Sequence, residues 1–367
     1  MRGSWDRMSA TLDSALQFIL PADWDKWLAS QDVSAGFCQS TEWARIHAAA
    51  NQATSRVISV DSNGTRVGGA LVSLRPAAIE SMSFAQRLRH HVAGQAGGTL
   101  ECFEGPVLPV DNIQRCLRDI LLQVSELAQR LGVNRVRFGG APVLAPWAGS
   151  KDAGTVFREF GYGETNWLTR VVDLMRDEEA LRRDLKQAAR KGVRKSREAG
   201  LTIKHCETFK EFIAIFCRAY YEAADPNENQ FFLPRGEAIW RADEDRRYRF
   251  FVIEDPEGNV HATLGTYRYQ GVVTEIMSGR TSFGKASKLP AQDLLHWETM
   301  LYHKRCGDRY FNLAGYSPNP ANEKELGIRR FKEKWGGREI SVPSYTWIHE
   351  PGYLRAGRWL QSKIGSA

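Results

Sequence analysis

Five cations at helical spacing form the clearest candidate anion-binding feature of this sequence. They step by three or four along a helix predicted at 177–199, so they share one face: Arg183, Lys186, Arg190, Arg194 and Arg197. Like charges at this spacing repel one another, so a bound anion would stabilise the stripe. Phosphate suits it, because Arg offers paired donors that match phosphate oxygens. The alternative is an ordinary solvated face that lies over Leu185, Ala188, Ala189 and Val193.

A second group of candidates lies near the C-terminus, in a short basic helix at 326–337. The stretch at 310–315 predicts a short buried strand, and a turn-rich connection with two prolines follows it. The helix ends at a pair of glycines, as helices commonly do. It carries adjacent Phe331 and Lys332, a pair that packing alone does not readily explain.

The cysteines and histidines do not predict a metal site. The six cysteines are scattered without any CxxC spacing, which favours packed free thiols over a zinc site or a disulfide framework. His90 and His91 are adjacent, and neighbouring side chains in a regular element do not converge on one ion. We therefore expect no metal.

Length and charge limit the class of protein. A chain of 367 residues exceeds the usual size of one hydrophobic core, so two domains are expected. The net charge of +7 favours a polyanionic partner. No apolar run approaches the roughly 20 residues of a membrane helix, and we expect a cytoplasmic protein.

The pattern of predicted elements is α/β and occurs twice. In the first half, strands at 56–60 and 66–74 flank a hairpin turn, a surface loop covers 79–98, and a long amphipathic helix begins at Asn112. The second half repeats helices, a hairpin, a long helix at 290–305 and a strand. We predict an N-terminal domain at 1–170, a C-terminal domain at 171–346 that contains the basic helix, and a tail at 347–367 that packs back on the first domain.

Several segments, in the same order, resemble the FemABX family of aminoacyl-tRNA-dependent peptidyltransferases. They are the Phe-Cys-Gln-Ser segment at 37–43, the Gly-Gly strand at 68–71, the Gly-Pro-Val turn at 105–107, the basic helix at 190–200, the helix at 294–300 and the Phe-Lys helix at 327–337. The resemblance spans about residues 20–340. It implies two tandem GNAT-like acyltransferase domains, each a mixed sheet flanked by helices, without the family's long helical arm.

The resemblance also implies an activity: transfer of an amino acid from aminoacyl-tRNA onto an amine of a cell-wall precursor, with no further cofactor. Lys332, with the Phe331 amide, would stabilise the negative charge that develops on the ester carbonyl oxygen. The tRNA would lie on a basic surface made by Lys186, Arg190, Arg194, Arg197, Arg329, Arg330 and Lys334.

The residues expected to bind the acceptor follow the family less closely. They are Gln39, Trp43, Arg45, Glu104, Arg235 and Tyr316. The family places a lysine soon after the tryptophan of its first motif, where this chain has Arg45 and His47, and Arg235 has no tyrosine one turn later as the family does. Glu104 is the candidate acceptor of the amine proton. The acceptor could therefore be a muropeptide, a natural product or a polysaccharide amine, and the amino acid and the oligomeric state stay open.

Two other functions remain possible from the sequence. The first is a GNAT N-acyltransferase that uses acetyl-CoA or another acyl-CoA, with a pyrophosphate loop at 280–286 whose glycine spacing is off by one residue. The second is a non-catalytic RNA-binding or scaffolding module, although the chain lacks KH, RRM and double-stranded-RNA signatures.

Overall fold

The computed structural model describes residues 20–76, 98–109, 111–133, 135–140, 142–223 and 236–348. These residues divide into two compact units, one that runs to Thr165 and includes Pro343–Ile348, and a second formed by Asn166–Val342. Arg235, the tail beyond Ile348 and most of the loop predicted at 79–98 lie outside the described residues.

The first unit is a mixed sheet with helices. Its elements are α1 (Trp24–Ala29), two 3-10 turns (Asp32–Ser34 and Phe37–Gln39), α2 (Thr41–Asn51), β1 (Thr54–Ser62), β2 (Thr65–Arg75), β3 (Thr99–Phe103), α3 (Ile113–Arg130), β4 (Arg135–Gly139) and α4 (Lys151–Glu159). Antiparallel pairs join β1 to β2 and β2 to β3, whereas β3 and β4 are parallel. The last residues of the final strand, β11 (Arg338–Ile348), pair antiparallel with β4.

Local sequence explains the first unit's hairpin and its long helix. Asn63 and Gly64 both have positive φ, +52° and +75°, which is the conformation of the tight turn that matches strand twist. The predicted hairpin is therefore confirmed. The apolar face of α3, including Leu117, Ile120 and Val124, is fully buried in the core of this unit.

The second unit also contains a mixed sheet with helices. Its elements are β5 (Gly163–Asp173, which begins in the first unit), α5 (Glu178–Asp184), α6 (Gln187–Glu198), β6 (Thr202–His205), α7 (Phe209–Glu211), a π-helix (Phe212–Cys217), α8 (Arg218–Ala223), helical residues 236–242, β7 (Tyr248–Glu254), β8 (Val260–Tyr269), β9 (Val272–Arg280), α9 (Ser282–Ala286), α10 (Ala291–Arg305), β10 (Tyr310–Asn312), α11 (Glu323–Glu333) and β11 (Arg338–Ile348). The strands lie in the order β5-β10-β9-β8-β7-β6. Only β9 and β10 pair in parallel among these neighbours.

The prediction of a single basic helix at 177–199 is wrong, because the chain forms two helices there, α5 and α6. Leu185 between them is extended, with ψ 136°, and its side chain is buried in the core of the second unit. The Lys186 N–H donates to the Lys334 carbonyl oxygen at 2.9 Å. Tertiary contacts thus replace the helical hydrogen bonds that the local sequence favours.

Both units show mixed sheets flanked by helices, which confirms the predicted fold class. The segment 290–305, predicted as a long helix with Leu294, Leu295 and Trp297 buried, is α10 with these residues in the core. Among the described residues, no helix combines the length and apolar character needed to cross a membrane.

Candidate active site

The helix α11 begins and ends where its sequence requires. The Asn322 side chain accepts a hydrogen bond from the Glu325 N–H at 2.9 Å, which caps the first turn. At the other end Gly336 and Gly337 have φ +72° and +70°. A Cβ on Gly337 would lie 2.6 Å from the Val171 carbonyl oxygen, so only glycine fits there. The glycine pair fixes the direction in which the chain leaves the helix.

Lys332 is enclosed by the second unit, where its ammonium lies beside the end of a strand. The side chain is 7% exposed, and Nζ donates to the Gly315 carbonyl oxygen at 3.0 Å. Gly315 follows β10, so the strand end and the Phe-Lys helix meet here. Burial lowers the pKa of Lys332, and the negative charge of Glu275 opposes that shift. One of the three N–H donors is used by Gly315.

Two further ionisable residues lie in this cluster, Glu275 of β9 and His296 of α10. His296 is fully buried, and its Nδ1–H donates to the Gln292 carbonyl oxygen at 2.8 Å. This leaves Nε2 at 3.3 Å from Glu275 Oε2, and neither atom makes a hydrogen bond within the described residues. Although burial acts the other way, the positive charges of His296 and Lys332 hold the pKa of Glu275 below its ordinary value. The cluster therefore contains a carboxylate and an ammonium in one enclosed place.

Glu275 and His296 are functional candidates that the sequence reasoning missed. Each is ionisable and sits in an apolar run, between Val273 and Ile276 on the strand and after Leu295 on the helix. A buried charge without a partner is costly, so an ionisable residue in such a run needs a partner or a function. An ionisable residue within an apolar run is thus the sequence feature that could have identified Glu275 and His296.

Phe331 packs around the cluster through its ring. The ring lies edge-on to His296, with centroids 4.8 Å apart, and the Lys334 ammonium is 4.2 Å from its centroid. Lys334 also pairs with the buried Asp293 at 2.5 Å, so this residue, predicted to bind tRNA, is largely enclosed. The Phe331 N–H lies well inside α11, where the helical ladder uses such groups. This placement favours a positioning role for Phe331 over an oxyanion donor.

The other predicted tRNA-binding residues remain near the surface, but most already have partners. Arg190 donates to the Arg183 and Leu185 carbonyl oxygens that end α5. The ion pairs are Lys186–Glu333 at 3.5 Å, Arg329–Glu333 at 2.9 Å, Arg194–Glu198 at 3.6 Å and Arg197–Glu298 at 2.5 Å. Arg330 is exposed, as are Lys191 and Lys195 of α6. The cationic surface thus alternates with carboxylates, and tRNA binding by it stays a prediction.

In the first unit, the structure brings Gln39, Trp43 and Glu104 into one interior region. Gln39 is fully buried: Oε1 accepts from the Leu71 N–H at 2.7 Å, and Nε2 donates to the Phe103 carbonyl oxygen at 2.6 Å. Both ends of its amide therefore serve the main chain. Glu104 Oε2 accepts from the Cys38 N–H at 3.0 Å.

The remaining acceptor candidates differ in exposure. Trp43 is half-buried and stacks on His47 with ring centroids 5.2 Å apart, and Arg45 is exposed on α2. Tyr316, in the second unit, is 1% exposed and donates to Glu339 Oε2 at 2.6 Å. Burial and the neighbouring Glu339 raise the pKa of Tyr316 to about 12. This tyrosine is held as a structural hydrogen-bond donor.

The segment considered as a pyrophosphate loop forms the short helix α9. The Thr281 hydroxyl accepts from the Gly284 N–H at 2.9 Å, and the Thr281 carbonyl oxygen accepts from the Lys285 N–H. These amides, which a pyrophosphate would need, already have partners. Within the described ranges, no group of three or more Asp, Glu, His or Cys side chains could hold a metal ion.

Comparison with solved structures agrees with this architecture. FemX is 13% identical, covers 91% of this chain and 97% of its own length, and has a TM-score of 0.66. A tandem GNAT protein from the clavulanic acid biosynthesis pathway is 13% identical over 85% of this chain and 95% of its own, with a TM-score of 0.50. The C-terminal domain of a putative lysylphosphatidylglycerol synthetase from Agrobacterium fabrum is 12% identical over 93% and 96%, also at 0.50.

A scan against protein-family models and a search of curated proteins each gave no match. The likeness to the solved structures shows that the chain has a tandem GNAT-type fold. FemX shares that fold over nearly its whole length.

Proposed function

We propose that this chain is an acyltransferase of the FemABX type, which moves an amino acid from aminoacyl-tRNA to an amine acceptor. The observation that carries the proposal is the buried Lys332 ammonium, held at the Gly315 carbonyl oxygen on a fold that FemX shares. Burying a lysine ammonium costs desolvation free energy, and an apolar side chain would fill the same space without that cost. The buried lysine therefore indicates a function other than packing.

The chemistry needs little beyond charge stabilisation. An aminoacyl ester is already activated, so a free amine attacks its carbonyl carbon without a covalent enzyme intermediate. The carbonyl oxygen becomes negative as the new C–N bond forms, and an N–H of Lys332 donates to it. One such donor contributes about 3 kcal/mol to the transition state. The low dielectric around Lys332 strengthens this interaction.

Glu275 is the better candidate to accept the proton that the attacking amine loses. Its lowered pKa keeps it ionised near neutral pH, and its Oε2 is without a hydrogen-bond partner in the described part of the chain. Glu104 already accepts a hydrogen bond from the Cys38 N–H in the other unit. The negative charge of Glu275 also opposes the lowering of the Lys332 pKa and so helps to keep the ammonium charged. One carboxylate therefore supports both the proton transfer and the stabilisation of the oxyanion.

We infer that tRNA binds to the basic surface of α6 and α11. Phosphates would compete with Glu198, Glu298 and Glu333 for the arginines and lysines that these carboxylates now pair with. These pairs are exposed or partly exposed, and surface pairs typically contribute under about 1 kcal/mol to stability, so phosphates can replace the carboxylates at low cost. Affinity should then fall steeply with added salt.

The donor is tested by incubating the protein with radiolabelled aminoacyl-tRNAs or with labelled acetyl-CoA, each with a cell extract that supplies amines. We expect label to move from tRNA to a small acceptor, identified by mass as a cell-wall peptide precursor, a natural product or a polysaccharide amine. Transfer from acetyl-CoA alone would contradict the tRNA-dependent reaction and support the acyl-CoA alternative. The amides of α9 that already have partners favour the first result.

A further inference from the structure

A separate set of chemically reactive side chains lies elsewhere in the second unit: Ser287, His261 and Asp255. His261 is 1% exposed, and its ring lies between the other two residues. Nε2 is 3.2 Å from Asp255 Oδ2, and Nδ1 is 3.2 Å from Ser287 Oγ. Because an ionised carboxylate only accepts hydrogen bonds, the proton lies on Nε2. The Nδ1 lone pair therefore faces the serine hydroxyl, which also lies 3.1 Å from the Gly284 carbonyl oxygen and can donate its one proton to either acceptor.

The turn at the start of β8 holds Asp255 in its ionised form. Asp255 Oδ1 accepts from the Asn259 N–H at 2.8 Å, and the Asn259 side-chain amide donates to both carboxylate oxygens at 3.2 and 3.1 Å. Although partial burial acts the other way, these donors and His261 lower the pKa of Asp255. The carboxylate is thus fixed in charge and in direction.

The helix α9 fixes the histidine and the serine relative to each other. The Thr281 N–H donates to the His261 carbonyl oxygen at 3.1 Å, and a Cβ on Gly284 would lie 2.0 Å from that oxygen. The helix therefore packs directly on the His261 main chain. Phe283 lies edge-on to the imidazole, with centroids 5.0 Å apart. Ser287 follows the helix and is partly exposed, and its Oγ also accepts from the Leu289 N–H at 3.3 Å.

We propose that Ser287 is a nucleophile that accepts an acyl group from an activated ester, with His261 as its general base and Asp255 as the group that orients the base. Oγ attacks the ester carbonyl carbon, and its proton moves to His261 Nδ1. The bond to the leaving alcohol then breaks, and the alkoxide takes that proton. Water hydrolyses the acyl-serine in the same way, which releases the acid and restores the serine. Compared with the serine-protease triad, the two imidazole nitrogens exchange partners.

The residue after the serine provides a donor for the oxyanion. Lys288 has φ +56°, which is unusual for a residue with a side chain. Its N–H makes no backbone–backbone hydrogen bond in the described structure. In α/β-hydrolases the N–H that follows the nucleophile forms part of the oxyanion hole. Left-handed backbone at such a position is consistent with a functional constraint. This activity does not depend on transfer by Lys332.

The test treats the full-length protein with a fluorophosphonate probe and follows labelling by gel fluorescence and by mass spectrometry of peptides. We expect one adduct on Ser287, hydrolysis of p-nitrophenyl acetate with a burst, and loss of both in Ser287→Ala. Asp255→Asn, which preserves shape, should slow labelling by at least about tenfold. Ser282→Ala is the matched control, because Ser282 is an exposed serine at the other end of the same helix.

Failure of wild-type protein to label at Ser287 would overturn the proposal, and so would labelling that Asp255→Asn leaves unchanged. In that case the three residues form a structural link between the turn and α9. Circular dichroism shows that each variant is folded. If Asp255→Asn does not fold, the Ser287 adduct and its loss in Ser287→Ala decide the result.

Discussion

Replacing Lys332 by Met removes the ammonium but keeps an unbranched side chain of similar length. Loss of one oxyanion donor, about 3 kcal/mol, corresponds to roughly a hundredfold lower kcat/KM for transfer. The assay is transfer from aminoacyl-tRNA, with tRNA affinity measured separately by filter binding and expected to be unchanged. The control is Lys324→Met, since Lys324 is exposed on the same helix. A Lys332→Met variant that is folded, binds tRNA and transfers at the wild-type rate would refute the assigned role.

Stability and pH separate the catalytic effect from a structural one. In Lys332→Met the Gly315 carbonyl oxygen loses its donor, but Gly315 is exposed and water can replace that donor, so the stability measured by urea unfolding should fall by about 1 kcal/mol or less. The folded-state pKa of Lys332 is lowered, so the unfolded chain binds more protons between the two pKa values, and stability rises with pH in that window. Transfer should decline there, because the ammonium is lost at a lower pH than from an ordinary lysine. A rate that stays flat up to the usual lysine pKa of about 10.4 would contradict this assignment.

Glu275→Gln should lower the transfer rate at neutral pH, where the wild-type carboxylate is ionised; a wild-type rate in this variant would exclude Glu275 as the proton acceptor. Charge reversal at the exposed Arg194 and Arg330 should weaken tRNA binding and reduce the salt slope by about one per residue, with kcat at saturating tRNA unchanged; equal binding at all salt concentrations would place the tRNA elsewhere. Gly192→Ala should destabilise the fold by about 1–3 kcal/mol in urea, because a Cβ there would lie 2.1 Å from an Asp293 carboxylate oxygen, whereas Gly327→Ala, with open space around it, should stabilise its helix by about 1 kcal/mol.

The parts of the fold that local sequence determines were predictable. The Asn63–Gly64 turn needs positive φ at both positions, and the glycines after α11 need it too, so residue type alone located these elements. The period of apolar residues likewise located α3. The break at Leu185 was not predictable in this way. It arises because a buried leucine and a main-chain hydrogen bond to Lys334 outweigh helical propensity.

In the candidate site, too, the sequence identified a single residue but not the residues that the fold brings beside it. The resemblance in sequence indicated Lys332, but spacing alone could not show that its ammonium meets a strand end 17 residues earlier in the chain, or that Glu275 of β9 and His296 of α10 join it. Helical spacing also predicted that five cations share a face, and it could not include the carboxylates that other segments bring beside them, such as Glu298 and Glu333. The sequence pattern therefore overstated the positive charge of this surface, because the carboxylates that pair with the cations lie far away in the chain. The sequence pattern also gave too little weight to ionisable residues within apolar runs, such as Glu275 and His296, because their partners are likewise distant in the chain. A buried charge costs more free energy than an exposed one, so such a residue points to a functional site more strongly than a surface cation does.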